Sequence, residues 1–409
     1  MNYLKITLIL LFIAVNSSCI DQKLVSEQEP VKQWYKGNLH THSYWSDGDE
    51  FPEVIVEWYK SNDYQFIAMS DHNILAEGEK WVVISEDSIY QNAFRNYLDN
   101  YGADWVNHRI DSGRIHVKLK TYKEYKGRFE EEGKFLIIQS EEITDGFENN
   151  PIHMNVTNIQ EKINPQGGNS VLEVIQNNLD EVIMQREKTG VPMIPHVNHP
   201  NYQYGVSLDD MIALRGERFF EIYNGHPSVH NQGDSAHVST EKMWDLINIA
   251  YIENDKPLMY GLATDDSHNY HVNGSEWSNA GRGWIMVLTD SLTPASLIAA
   301  MENGQFYATT GVKLKKLDFD QNKLSIEVMQ KPGITYKISF IGFRKGQSEP
   351  EVFMSTTGTK ADFELTDDIL FVRCKVTSSK LHSNPIETLV YELAWTQPVL
   401  RDNSYEKNY

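Results

Sequence analysis

Short apolar runs that stop at a cluster of histidine, aspartate or glutamate recur along this chain, and that recurrence constrains the fold more than any other feature. The first is the most informative. Residues 36–39 read as a short strand leading into His40-Thr41-His42-Ser43-Tyr44-Trp45-Ser46-Asp47-Gly48. Strand side chains alternate with period two, so His40 and His42 point to one side. Ser46-Asp47-Gly48 reads as the turn that follows, and from it Asp47 can swing back as an oxygen ligand. The three would then grip one cation; the bland alternative is two polar residues at a strand end.

Later runs repeat the arrangement. Residues 65–69 end in Ser70-Asp71-His72-Asn73, and residues 134–139 end in Ser140-Glu141-Glu142-Ile143-Thr144. Residues 152–158 alternate as a strand with His153 near its start. Residues 191–195 lead into His196-Val197-Asn198-His199-Pro200, residues 219–223 into Asn224-Gly225-His226-Pro227, and residues 257–263 into Thr264-Asp265-Asp266-Ser267-His268. Residues 283–288 close the series. Helical apolar spacing fills several gaps: Pro52–Ser61, a helix capped by Ser170 and stopped by Gly190, residues 240–253, and residues 294–303. Alternating strands and helices predict a mainly parallel sheet. In a β/α barrel, catalytic groups collect at the C-terminal strand ends, which is where these clusters fall. No Glu-x-x-His pair on a helix suggests a helix-bundle carboxylate site instead.

Two segments depart from that rhythm. Residues 75–132 are polar and aromatic and read as an inserted helical subregion or lid. After Gly311 the helices stop, and six short strands at turn-punctuated spacing predict a small all-β, sandwich-like domain over residues 313–400.

Composition narrows the function. A net charge of −20 over 409 residues argues against a surface that coats nucleic acid. Lys5 precedes an apolar run over residues 6–15, too short to span a bilayer and suited to a signal-peptide core. Asn16-Ser17-Ser18-Cys19 resembles a bacterial lipobox, with Asn16 where leucine is usual. Residues 1–18 are therefore expected to be a signal peptide. Residues 19–34 would be a tether lipidated at Cys19, placing an exported lipoprotein on the periplasmic or cell-surface side of a membrane. The second of the two cysteines, Cys374, leaves no disulfide framework and no thiolate zinc site.

Taken in order, His40-Thr41-His42, Ser46-Asp47-Gly48, Ser70-Asp71-His72, Glu142-Ile143-Thr144, His153, His199-Pro200 and Asp266-Ser267-His268 resemble the PHP (polymerase and histidinol phosphatase) superfamily. Gly281-Arg282-Gly283-Trp284, residues 304–308 with Gly311, and Ala394-Trp395-Thr396-Gln397-Pro398 resemble a bacterial branch of it with a C-terminal β domain. The resemblance implies an α/β fold, a distorted (β/α)7 TIM-like barrel over residues 35–312, with two or three divalent metal ions. It assigns His40, His42, Glu142 and Asp266 to a first metal. Glu142 bridges to a second held by His153 and His199, and Asp47, His72 and His268 hold a third. Glu142 is preferred to adjacent Glu141 because the family's glutamate precedes an Ile-Thr pair. Asp266 is preferred to Asp265 by the Asp-x-His spacing, and His199 to His196 by the His-Pro pair. His226 reads as a substrate or supporting contact rather than a ligand.

Imidazole and carboxylate ligands without thiolate suit Zn, Mn or Fe. The implied activity is hydrolysis of a small phosphate ester by a metal-bridging hydroxide, with Glu142 at the bridge. Asp71 would orient a ligand, shuttle a proton or play a plain structural role, and Arg282 would clamp an anionic group or form a structural ion pair. The alternatives are a hydrolase of carboxylic or carbamate esters, and a surface lipoprotein that binds a glycan or other ligand through its β domain. For the N-terminus, Cys19→Ser is predicted to abolish membrane tethering; intact-mass analysis of the native protein should show a mature chain that begins at acylated Cys19, and any other free N-terminus refutes it.

Overall fold

The computed structural model describes residues 31–386 and 389–401. The expected signal peptide and the lipidation site at Cys19 lie outside the described residues. The chain enters as β1 (Gln33–Asn38), then α1 (Pro52–Ser61) and β2 (Phe66–Met69). The insertion holds β3 (Trp81–Val83), α2 (Ser88–Tyr101), β4 (His108–Asp111), β5 (Arg114–Lys118) and α3 (Tyr122–Phe129). Next come β6 (Leu136–Phe147), β7 (Asn150–Thr157), α4 (Val171–Thr189), β8 (Ile194–Val197), α5 (Leu208–Ala213) and β9 (Phe219–Asn224). They are followed by α6 (Thr240–Glu253), β10 (Tyr260–Thr264), β11 (Trp284–Thr289), α7 (Pro294–Glu302) and β12 (Phe306–Thr309). The rest is all strand: β13 (Leu314–Asp320), β14 (Lys323–Val328), β15 (Tyr336–Arg344), β16 (Glu351–Thr357), β17 (Lys360–Glu364), β18 (Ile369–Ile386), β19 (Leu389–Thr396) and β20 (Val399–Leu400). Among the described residues no helix is long and apolar enough to cross a membrane.

One large mixed sheet organises these elements, in the order β10-β9-β8-β7-β6-β2-β1-β11-β12-β19-β18-β15-β16. It is an open path, not the closed barrel that the family resemblance implies. The strand–helix rhythm fails at β6 and β7, which form an antiparallel hairpin around Glu148, a non-glycine residue at φ 55°. Two-residue hairpin loops need such a left-handed position. No helix can separate β6 from β7, and β7 then pairs antiparallel with β8 as well. β11 likewise runs antiparallel to β1. The parallel character survives in β1–β2, β2–β6, β8–β9 and β9–β10. Beyond β1 and β10 the chain meets itself through a single isolated bridge, Thr41 with Ser267. Backbone bonds from Asp266 N to the His40 carbonyl and from His42 N to the Ser267 carbonyl, both 3.0 Å, hold that seam.

The strands behind the seam are buried because their side chains face apolar neighbours on both sides: β2, β9, β10 and β12 show no exposed position. Helices follow the capping chemistry in the sequence. Ser170 Oγ accepts the Glu173 N–H at the start of α4, and Gly190, left-handed at φ 66°, ends it. The C-terminal strands do not stand apart. β19 pairs with β12 and so extends the main sheet, while β13, β14 and β17 form a separate three-stranded sheet. Gln397 completes the join, donating to the Gly261 carbonyl and accepting from the Gly261 N–H on β10, each at 2.9 Å.

Arg373 on β18 carries the strongest polar tie to α6. Its Nε and Nη2 donate to the two Asp245 oxygens at 2.6 and 2.8 Å, and Nη2 also reaches Glu241 at 3.1 Å. Arg373 and Asp245 are buried, so removing the cation strands the Asp245 carboxylate in low dielectric, whereas half-buried Glu241 keeps Lys375 at 2.6 Å. Arg373→Ala should therefore lower stability by about 3–5 kcal/mol, read as a fall in the urea midpoint; an unchanged midpoint would show that the ion pair is not a fastening of α6 to the sheet.

Candidate metal centre

The site is assembled from β6 and β7 and from the segments that follow β1, β2, β8 and β10. The segment after β1 supplies His40 and His42, and the turn beyond it supplies Asp47. Gly48 closes that turn where only hydrogen fits, since a Cβ there would lie 2.5 Å from the His42 carbonyl oxygen. The segment after β2 forms a parallel bridge with β6 that sets His72 beside Glu142. β7 contributes His153, opposite Thr144 in the hairpin register. Asp266, across the seam, holds a left-handed backbone at φ 50°, uncommon outside glycine and a mark of a position fixed by its surroundings.

Glu142 lies at the centre, fully buried. Its Oε2 is approached by His40 Nε2, His42 Nε2 and His72 Nδ1, each at 3.1 Å. Its Oε1 faces His153 Nδ1 at 2.9 Å and His199 Nε2 at 3.7 Å, and accepts from Asn198 Nδ2 at 2.8 Å. The two oxygens of one carboxylate thus serve two different sets of imidazoles. Asp266 Oδ1 lies 3.2 Å from both His40 Nε2 and His42 Nε2, and its Oδ2 is 3.8 Å from His199 Nε2. Farther out, Asp47 Oδ1 lies 3.5 Å from His72 Nε2 and 3.4 Å from His268 Nε2. Every residue assigned to a metal by the resemblance is therefore in one neighbourhood. The ligand atoms of His40, His42 and Glu142, of His72, Glu142 and His153, of His40, His199 and Asp266, and of His42, Asp47, His72 and His268 each lie within 4.8 Å of one another.

Donor chemistry fits metal ions. Buried His42 Nε2 and His153 Nδ1 have no hydrogen-bond partner although carboxylate oxygens stand about 3 Å away. Nitrogens and oxygens that converge without bonding to each other suit a shared cation. Partners on the far ring nitrogen preset the tautomers. His40 Nδ1 donates to Glu221 at 2.7 Å and His268 Nδ1 donates to the Asp266 carbonyl at 2.9 Å, so each keeps a lone pair on Nε2, directed inward. His72 Nδ1 contacts Thr144 Oγ1 at 2.5 Å, which leaves its Nε2 facing Asp47.

Charge follows the same logic. Burial opposes charge on Glu142, but the imidazoles of His72, His40 and His153 hold its carboxyl well below the usual range. Burial likewise opposes charge on His40, while Asp266, Glu142 and Glu221 raise its pKa well above the ordinary value, so a cation bound here would have to displace the proton from Nε2. His72 is pushed down to about 4, chiefly by burial. Neutral His72 is the form that can ligate.

The runner-up residues point elsewhere. Glu141 faces the opposite side of β6, where its Oε2 accepts from Ile163 N at 2.9 Å and burial raises its pKa to about 7. Asp265 anchors a loop, accepting from the backbone N–H groups of Gly281, Arg282 and Gly283 at 2.6–2.9 Å. His196 is buried behind the cluster, 3.5 Å from Glu221. Arg282 does not serve as an anion clamp. Its guanidinium donates to the carbonyls of Gly225, Trp277, Gly274 and Asn384, so it holds loops together. Asp71 accepts from Ser43 N and Ser43 Oγ at 2.8 Å and from Ser46 Oγ at 2.6 Å, which fixes the turn that carries Asp47.

Several contributors escaped the sequence reading. Glu221 had a signal, a charge inside an otherwise apolar strand. Asn198, Asn224 and Thr144 stand within or beside the motifs but gave no separate sign; Asn224 Nδ2 donates to Glu221 at 2.8 Å and to Asp266 at 3.0 Å. Tyr202 joins Asp47, His72, Glu142, Thr144, His153, His199, His226, Asp266 and His268 around an open cavity of about 430 Å³.

No protein-family model and no curated protein matches this sequence. Among solved structures, a two-domain protein containing a predicted PHP-like metal-dependent phosphoesterase from Bacteroides vulgatus aligns at 12% identity. The alignment covers 90% of this chain and 96% of that one, with a TM-score of 0.37. A proposed metal-dependent phosphoesterase from Bifidobacterium adolescentis aligns at 11% identity over 57% of this chain and 87% of that one, TM-score 0.29. An amidohydrolase from Chromobacterium violaceum, with bound sulfate and no metal, aligns at 10% identity over 66% and 96%, TM-score 0.29. Likenesses this low do not bear on function, which rests on the site.

Because both Glu142 oxygens face the cluster and Glu141 faces away, Glu142→Gln should lose at least two equivalents of bound metal while Glu141→Gln keeps the wild-type content. Elemental analysis of the purified variants decides between them, and full retention by Glu142→Gln would remove this carboxylate from the bridge.

Proposed function

We propose that this chain is a metal-dependent hydrolase whose substrate is a small phosphate ester. The observation that carries the reading is Glu142, one carboxylate shared between two imidazole sets, with the Asp47, His72 and His268 group facing the same cavity. His40, His42, Glu142 and Asp266 would hold a first ion, Glu142, His153 and His199 a second, and Asp47, His72 and His268 a third. Divalent ions at such positions supply Lewis acidity and lower the pKa of coordinated water. Three ligand carboxylates against three divalent ions would leave a local charge of about +3, which attracts a phosphate dianion despite the acidic surface. Glu221 and Thr144 keep the ligand histidines oriented, and the cavity admits a small molecule. With the lipid tether expected at Cys19, the enzyme would work at a membrane surface outside the cytoplasm.

A carboxylic- or carbamate-ester substrate is the second reading, and one observation favours it. Among the described residues, no lysine or arginine lines the cavity. A carbonyl develops one oxyanion, which the site around Glu142 would serve alone, whereas a phosphoryl group presents several oxygens and gains from the third position. His72→Ala should accordingly lower phosphomonoesterase kcat by roughly a hundredfold while the Glu142 site keeps its metal. Wild-type protein loaded with Zn, Mn or Fe that cleaves carboxyl or carbamate esters and no phosphate ester would replace the first reading with the second.

A further inference from the structure

The cavity wall next to His199 and His153 is built around Tyr202, and its construction is costly. Tyr202 heads a turn in which Gln203 and Tyr204 both take left-handed backbone, φ 50° and 53°, without being glycine. Such a turn persists only where its surroundings over-determine it, and here they do. Tyr204 stacks on His237 with ring centroids 3.7 Å apart. Asn201 Nδ2 donates to the carbonyls of His230 and Val238, each at 3.0 Å. Tyr202 itself forms an isolated antiparallel bridge with Val229. On the other side Gly205 packs so close to Pro151 that a Cβ would lie 2.5 Å from its carbonyl oxygen.

The turn sets the Tyr202 ring among three imidazoles of the cavity: His199 at 5.2 Å, His226 at 6.1 Å and His153 at 6.2 Å between centroids. The edges that meet are those of side chains with assigned ligand roles on one side and His226 on the other. His226 has a settled tautomer. Its Nδ1 accepts from the Ser228 N–H at 3.1 Å, so the proton of the neutral ring sits on Nε2. Both residues line the cavity, and both end in a neutral donor. Among the described residues, ionic donors are missing from the same lining, so an oxygen of a bound anion that the metal-ligating residues do not hold has these two groups to meet.

We infer that the Tyr202 hydroxyl and the His226 Nε2–H form a neutral donor pair that binds a non-bridging oxygen of the substrate beside His153, His199 and His268, whose rings they adjoin. The inference rests on the phosphoester reading and adds to it which residues of this chain recognise the anion. Hydrogen bonds to a charged acceptor are among the strong ones, and each lost donor should weaken anion binding about tenfold or more.

Calorimetric titration of inorganic phosphate into metal-loaded protein, with metal content measured on every sample, tests it. Tyr202→Phe keeps the ring and the wall but removes the donor; it should retain wild-type metal content and bind phosphate about tenfold more weakly. His226→Ala should weaken binding similarly, and His226→Gln, which keeps an N–H donor, should recover part of the loss. Unchanged phosphate affinity in Tyr202→Phe overturns the donor pair and leaves the phosphoester reading standing. A wild-type protein that carries its metals and binds no phosphate overturns both.

Discussion

A carboxylate buried among imidazoles is the constraint from which the rest of this structure follows. Glu142 cannot remain ionised in an apolar interior unless positive charge or a cation surrounds it. Its partners come from segments remote in sequence, so the sheet must bring the ends of β1, β2, β6, β7, β8 and β10 to one edge. The hairpin of β6 and β7 is part of that solution. By turning back at once it puts His153 beside the strand that carries Glu142, where a crossover helix would have carried the chain away. Mixed strand direction thus serves the site at the cost of a regular parallel sheet.

Much of the centre was legible because it is local in sequence. Alternation puts His40 and His42 on one side of an extended segment, and the turn residues Ser46-Asp47-Gly48 return Asp47 to them. Asp-x-His at residues 266–268 encodes a similar local geometry. What was not legible depends on pairings between distant segments. Whether the sheet closes is decided by register between β10 and β1, which no short stretch records. Arg282 illustrates the same limit. Its guanidinium looks like an anion clamp in isolation, but one of its acceptors is Asn384, 102 residues away. Asp71 beside His72 reads equally as a proton shuttle or a brace until its three bonds to Ser43 and Ser46 are seen.

The C-terminal strands bear on the centre more than their lack of ligand residues suggests. β19 extends the main sheet through β12, and Gln397 bonds both backbone groups of Gly261 on β10, the strand that delivers Asp266. Arg373 fastens β18 to α6, the helix that leads into β10. A region that looks like a separate packing module in sequence therefore braces the strand that delivers Asp266 to the cluster.

The seam at Thr41 and Ser267 has a consequence for the order in which the molecule can be made. Asn38 and Asp265 beside it meet across 227 residues of sequence, and Gln397 supports β10 from 136 residues further on. A ribosome-bound or partly translocated chain holds His40, His42 and Glu142 long before the acid that completes their charge has emerged. Until then the early half is a cluster of imidazoles around one carboxylate, with neither Asp266 nor a paired strand edge beyond β1. Long-range closure of this kind is slow and leaves unpaired backbone exposed. Completion of the cluster is then a late event in folding, and until it occurs the growing chain exposes unbalanced imidazoles and an open strand edge to solvent and to other copies of itself.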